Sequence, residues 1–194
     1  MPVFDYRFTV PASLEAVRDF HRDLVATTSA IHVRSDVERK RLFGMAPTDR
    51  PADAAATAAL YSDTATRQTY ERLASLAKTM LANGASVVID AACTRRWQRD
   101  LLAHAATANG CALTWLAPDL PEHELIARVE ARRISGHDAS DASAAIVRQQ
   151  LATFEPITPA ELAAHPNTRL LDGRRPPQAD RPSPTFSEGG ARCH

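Results

Sequence analysis

The sequence predicts an α/β fold, a parallel sheet with helices on both faces. Three observations predict it. Short, mainly apolar runs at Ala30–Val33, Ser86–Asp90 and Cys111–Leu116 have the length and continuity of strands covered on both sides. Longer stretches between them repeat apolar residues every three or four positions, the helical period. Turn and cap residues stand at the junctions: Pro11, Asn83-Gly84, Asn109-Gly110 and Pro121. Apolar strands alternating with helices make βαβ units, whose strands share one direction.

The elements follow in order. Val3 to Val10 alternates, with Phe4, Tyr6, Phe8 and Val10 on one side and Asp5, Arg7 and Thr9 on the other, as a half-buried strand does. A central place would drive the polar set inside, at about 1–3 kcal/mol for each unpaired group. The alternation therefore predicts an edge strand or a loosely docked arm. Ser13 can cap a helix reaching about Leu24. The strand at 30–34 then runs into Ser35-Asp36, which reads as an N-cap pair for a helix carrying Arg39, Lys40 and Arg41. Met45 to Ala54, with two prolines, reads as loop. Ser62 caps a long helix lined by Tyr70, Leu73, Leu76, Ala77, Met80 and Leu81. After the strand at 86–90, Thr94 caps a helix whose Trp97, Leu101, Leu102 and Ala105 face inward. Pro121 opens a helix bearing Leu125, Ile126 and Val129 and ending at Arg132-Arg133. Ser135 to Asp138 is a loop, Ser140 starts a helix to about Phe154, and Thr158-Pro159 opens a short one. Thr168 to Asp172 makes a last strand, and the Pro-, Arg-, Ser- and Gly-rich stretch from Gly173 predicts a disordered tail.

Composition narrows the function classes. An apolar fraction of 44% is enough for a core, and a formal net charge of zero offers no global field for nucleic acid or a membrane surface. Lys40 and Lys78 are the only lysines, so the positive charge is nearly all Arg, the better bidentate phosphate ligand. Cys93, Cys111 and Cys193 are widely spaced and form no metal-ligand pattern, which predicts a reducing, cytoplasmic setting. No apolar run is long enough to span a membrane, and the N-terminus lacks the apolar core of a signal peptide.

The chemistry lies just past the strands, where α/β sheets bind ligands. Asp36 suits a general base for a hydroxyl, and Arg39, one turn on, can hold an anionic group beside it. Asp90 ends its strand where a carboxylate can orient Mg²⁺ through water, and Arg95, Arg96 and Arg99 follow. Arg128, Arg132 and Arg133 stud a later helix. Arginines gathered at one rim point to a multiply anionic ligand, a phosphorylated or nucleotide small molecule. The plainer readings stay open: a capping Asp36, an Asp90 that merely closes its strand, and solvated basic helix faces.

Four stretches carry a resemblance: RSDVERKRLFG (34–44), LYSDTATRQTYERL (60–73), ASVVIDAACTRRWQR (85–99) and GHDASDASAAIVRQQL (136–151). On these, residues 26–172 resemble a P-loop kinase domain of the AAA-type ATP-binding group, as found fused to aminoglycoside-phosphotransferase-like modules. Polynucleotide kinases and zeta toxins are more distant relatives. The resemblance implies ATP and Mg²⁺ as cofactors, Asp36 as catalytic base and Arg39 as a substrate-orienting group. It implies Asp90 as the Walker B-like carboxylate, Arg99 as a phosphate contact, and Arg132 and Arg133 in a lid over the nucleotide. Ala92 stands where the family usually has Thr.

The chain departs from the family upstream. Such kinases begin with a central strand followed by the Walker A loop GxxxxGK(S/T), whose amides cradle phosphates and whose Lys reaches the β/γ oxygens. No glycine precedes Gly44, and no Gly-Lys pair occurs anywhere. Residues 1–23, MPVFDYRFTVPASLEAVRDFHRD, resemble instead the opening of a START-like polyketide-cyclase domain. The expected organisation is thus a foreign or replaced segment at 1–25, a kinase-like domain at 26–172 lacking its first strand and Walker A loop, and a tail at 173–194. Loss of a central strand would uncover apolar surface and favour self-association. Three functions follow: an ATP-dependent kinase acting on a hydroxyl of a small molecule or nucleic-acid end, an ATP- or phosphate-binding domain with weak or absent turnover, and a carrier of hydrophobic ligands.

Overall fold

Five strands form one sheet in a computed structural model that describes residues 3–7, 30–119, 122–135, 143–165 and 169–172. They are β1 (Val3–Arg7), β2 (Ile31–Arg34), β3 (Val87–Asp90), β4 (Ala112–Asp119) and β5 (Arg169–Asp172). Their order across the sheet is β2-β3-β1-β4-β5, and every pairing is parallel. The helices among the described residues are α1 (Ser35–Leu42), α2 (Ala54–Leu60), α3 (Asp63–Ala82), α4 (Arg96–Thr107), α5 (Glu122–Ser135), α6 (Ala144–Ala152) and α7 (Pro159–Ala164).

The position of β1 corrects the sequence reading. It is the central strand, with Phe4 opposite Val87 on one side and Leu113 on the other, and Arg7 opposite both Asp90 and Leu116. The gap expected from a lost central strand is therefore filled. Side-chain alternation reports what flanks a strand locally. Place in a sheet is decided by which backbone edges are open, and β3 and β4 each present one to β1. β3 itself reads as expected: Val87, Val88 and Ile89 are all buried, so both faces of the sheet are covered there.

The main core lies between the sheet and the pair α3 and α4. Tyr70, Leu73, Ala77 and Leu81 present one stripe of α3, and Leu102 and Ala106 present α4, to Val33, Val87, Ile89, Leu113 and Trp115. A second cluster is confined to α5 and α6, where Leu125 and Val129 meet Val147. Ser62 caps α3 through the amide of Ala65, and Thr158 caps α7 through that of Glu161, both as the sequence predicts. Gly84 ends the α3 turn at φ 77°, a conformation that costs little without a Cβ.

Other boundaries differ. The residue before α1 is Arg34, and Ser35 and Asp36 fall inside the first turn with no side-chain cap. α4 begins at Arg96, after Arg95 and not after Thr94, and Gln98 Oε1 accepts from the Arg95 amide. α6 starts after Ser143. α2 is a helix where the sequence showed none, because AAATAAL has no amphipathic stripe; Asp53 caps it at the Ala56 amide. Ser135, expected in a loop with Gly136 to Asp138, is the last residue of α5; the rest of that loop, the helix expected at 13–24 and the tail from Gly173 lie outside the described residues.

Candidate functional site

The charged helix α1 is not a solvated basic face. Glu38, Arg39 and Lys40 are all buried. Each has polar contacts, as a charge withdrawn from water requires. Glu38 accepts from Arg72 Nε of α3 at 2.6 Å and pairs with Arg41. Lys40, 1% exposed, donates to the carbonyls of Pro47 and Asp49 at 3.0 and 2.6 Å and so shapes the loop after α1. Arg39 Nη1 donates to Leu60 O at 3.0 Å and Thr66 Oγ1 at 3.2 Å, and its guanidinium lies 5.0 Å from the centre of the Tyr61 ring. Its Nε has no hydrogen-bond partner among the described residues. These contacts fix α1 against α3 and leave Asp36, half-buried, at the end of β2.

Asp90 ends β3 next to Arg34, its register partner on β2. The carboxylate is 13% exposed and lies 3.5 Å from Arg34 Nε and 3.8 Å from His32 Nε2. His32 and Arg34 are two residues apart on β2, hence on one face, and both turn toward Asp90. The sheet order makes this the switch point. From β1 the chain runs to β2 and β3 on one side, then to β4 and β5 on the other, and it is at such a divergence, at the carboxyl ends of the strands, that α/β sheets bind ligands.

Of the two predicted sets, Asp36 and Arg39 on the β2 side and Asp90 on the β3 side bear electrostatically on one residue that the sequence assigns to the core, Tyr70. Tyr70 of α3 is buried, with its ring edge-on to Trp97 at 5.6 Å. Burial pushes its phenol well up; Arg39 opposes that shift, and Asp36 and Asp90 add to it. One hydroxyl-bearing ring thus feels all three site charges. Its position one turn beyond Thr66, the partner of Arg39, explains this. A tyrosine on an apolar stripe reads as core; its polar tip was the available signal.

The arginines after β3 separate. Arg95 lies 3.6 Å from Asp63 at the start of α3, and Arg96 pairs loosely with Asp100. Arg99 turns inward. Its Nε and Nη2 reach Glu161 Oε1 and Oε2 at 2.6 and 3.3 Å, and Nη1 donates to Cys93 O at 3.1 Å. Burial alone would raise the Glu161 pKa, but the hydrogen bonds and charge of Arg99, with the hydrogen bonds of Thr158, hold it at about 2. Arg132 and Arg133 fall near the end of α5.

A family described as an AAA domain matches residues 19–157, well over half of the chain. The chain belongs to that family. No protein with a curated description matches it. Solved structures give the AAA-domain chain the fold of P-loop kinases. It is similar to an unliganded sugar kinase from Janibacter sp., with TM-score 0.60 and 17% identity over 91% of this chain and 88% of that one. A gluconokinase from Sinorhizobium meliloti gives 0.53 and 16%, covering 90% and 83%. Kti12 from Chaetomium thermophilum, solved with ADP-AlF3, gives 0.55 and 13%, covering 89% of each chain. No helix among the described residues is long and apolar enough to cross a membrane.

Among the described residues no three His, Cys, Asp or Glu side chains form a metal cage. Asp36 and Asp90, just past the ends of two strands in register, are the carboxylates at this rim that would serve a Mg²⁺ arriving on phosphate oxygens, directly or through its waters.

Proposed function

We propose that this AAA-domain chain binds ATP or a related phosphorylated ligand at the carboxyl rim beside β1 and turns it over weakly or not at all. The observation that carries this reading is that β2 and β3 end in register, Arg34 opposite Asp90, so that Asp36, Arg39 and Asp90 belong to one carboxyl rim of a fully parallel sheet, where all three bear on Tyr70. Arg39 supports it further. A buried guanidinium held by a carbonyl, a hydroxyl and a ring, with one N–H unused among the described residues, suits an anion. Kti12 shares the fold and holds ADP-AlF3 in its solved structure.

In this reading Arg39 and Arg95 orient the anionic substrate, and Arg132 and Arg133 belong to the element that closes over the nucleotide. Arg99 serves from behind, through its hold on the β3–α4 loop. Mg²⁺, when bound, would offset phosphate charge; Asp90 would orient its water. Asp36 would take the proton of an attacking hydroxyl. Weak turnover follows from the sequence between β1 and β2. It contains no glycine and no Gly-Lys pair, so the main electrostatic contribution to phosphoryl transfer is lacking.

The test joins calorimetry with a product assay. Mg-ATP should bind, with turnover far below the usual kinase range of about 1–100 s⁻¹. Asp36→Asn should remove whatever transfer remains and leave binding intact. Turnover unchanged by Asp36→Asn would take Asp36 out of the chemistry, and turnover within the usual range would make the chain a working kinase.

A further inference from the structure

We infer that Glu155–Glu161 is a strap that sets the loop after Asp90, with Arg99 and Glu161 as positioning residues for the rim; its effect on a ligand rests on the function proposed above. The loop Ala91–Arg95 carries the backbone from β3 into α4. Two of its carbonyls are engaged from behind. Arg99 Nη1 donates to Cys93 O at 3.1 Å, and the Glu155 amide donates to Thr94 O at 2.7 Å. The Glu155 carboxylate accepts from the amide of Arg96, the first residue of α4. Arg99 Nη2 also reaches Pro156 O at 3.4 Å.

Glu161 closes the arrangement. It accepts two bonds from Arg99, 62 residues away, and its Oε2 also accepts from the Thr158 amide and hydroxyl, each at 3.0 Å. One carboxylate thus joins the guanidinium that holds the loop to the cap of α7. Beyond the strap, the ring of His165 stands edge-on to Trp115 of β4, centroids 6.0 Å apart.

The anchor points distinguish this from a pair that only adds stability. Every contact on the loop side is a backbone atom within six residues of Asp90, and backbone bonds fix dihedral angles. Ala91, Cys93 and Thr94 are buried, so the loop packs inward while the strap holds it. Asp90 itself is flanked from β2 by Arg34 and His32. The carboxylate that would orient a metal-bound water is therefore set from the strand side and from the loop side. Apolar side chains could fill the same volume at no loss of stability, but they would not specify the loop's carbonyl directions.

Hydrogen exchange on the full chain tests the strap without any ligand. Glu161→Gln keeps shape and an acceptor but removes the charge; Arg99→Lys keeps the charge but removes the fork that reaches Cys93 O. In both, amides of residues 91–96 should exchange about tenfold faster or more, while those of Leu73–Leu81 in α3 keep their protection. Loop amides that do not change, or that change in step with α3, overturn the inference. Titration with Mg-ATP and with ATP in EDTA then tests positioning. The variants should lose the Mg²⁺-dependent gain in affinity and keep the Mg²⁺-free affinity; an unchanged gain overturns the positioning role. If the wild-type chain binds neither form, the proposed function fails, and the exchange result alone decides the strap.

Discussion

β2 and β3 lie side by side, end at the same rim, and each leads into a helix with a buried arginine, yet the two arginines are held in different ways. Arg99, 4% exposed, is neutralised within the chain: Glu161 takes its fork, and two carbonyls take further bonds. Arg39, 7% exposed, has a carbonyl, a hydroxyl and the face of Tyr61, with no carboxylate partner among the described residues and an idle Nε. An arginine cluster near strand ends is therefore not one electrostatic object. Arg99 is neutralised by Glu161, whereas Arg39 meets only neutral groups among the described residues. A charge kept in a low-dielectric setting is the one that an incoming phosphate would feel.

Substitution at the two sites sharpens that contrast. Arg99→Ala leaves Glu161 buried without its partner and should cost about 3–5 kcal/mol in urea denaturation. Arg39→Ala breaks bonds to neutral acceptors and should cost less, about 1–3 kcal/mol by the same measurement. Equal losses would erase the distinction between the two arginines.

Acid probes the β3 side selectively. Glu161 ordinarily titrates near 4.5 and is held at about 2, so its contribution is whole above about pH 5 and is lost as pH falls toward 2. His165 is lowered from 6.5, by burial first, so stability also falls as it is forced to protonate. The urea midpoint should drop between about pH 6 and pH 3, and Glu161→Gln should flatten the lower part of that drop. A wild-type profile that is flat there would show that the pair is not formed in solution. The smallest effect belongs to the exposed pair Arg96–Asp100, where Asp100→Ala should change stability by less than about 0.5 kcal/mol.

The strands β2 to β5 and the caps Ser62 and Thr158 were legible because their signals are local: apolar runs, and a hydroxyl before a helix. The place of β1 was not, since strand neighbours are chosen across the whole sheet and Asp5, Arg7 and Thr9 weighed only as local polarity. The strand ends that carry Asp36 and Asp90 were legible because an apolar run stops just before each. The nearness of Tyr70 to those charges was not, because its ring satisfies the apolar stripe of α3. The inward turn of Arg99 was not legible for a related reason: Glu161, the carboxylate that takes its guanidinium, is 62 residues away in sequence.

The most direct measurement is a calorimetric titration of Mg-ATP into the wild-type chain and into Arg39→Ala at one salt concentration. If the rim at β2 and β3 holds phosphate through the uncompensated guanidinium, the wild type should saturate below about 1 mM and Arg39→Ala should bind about tenfold more weakly. No heat up to that concentration, or the same affinity in both proteins, would contradict a phosphate site at this rim.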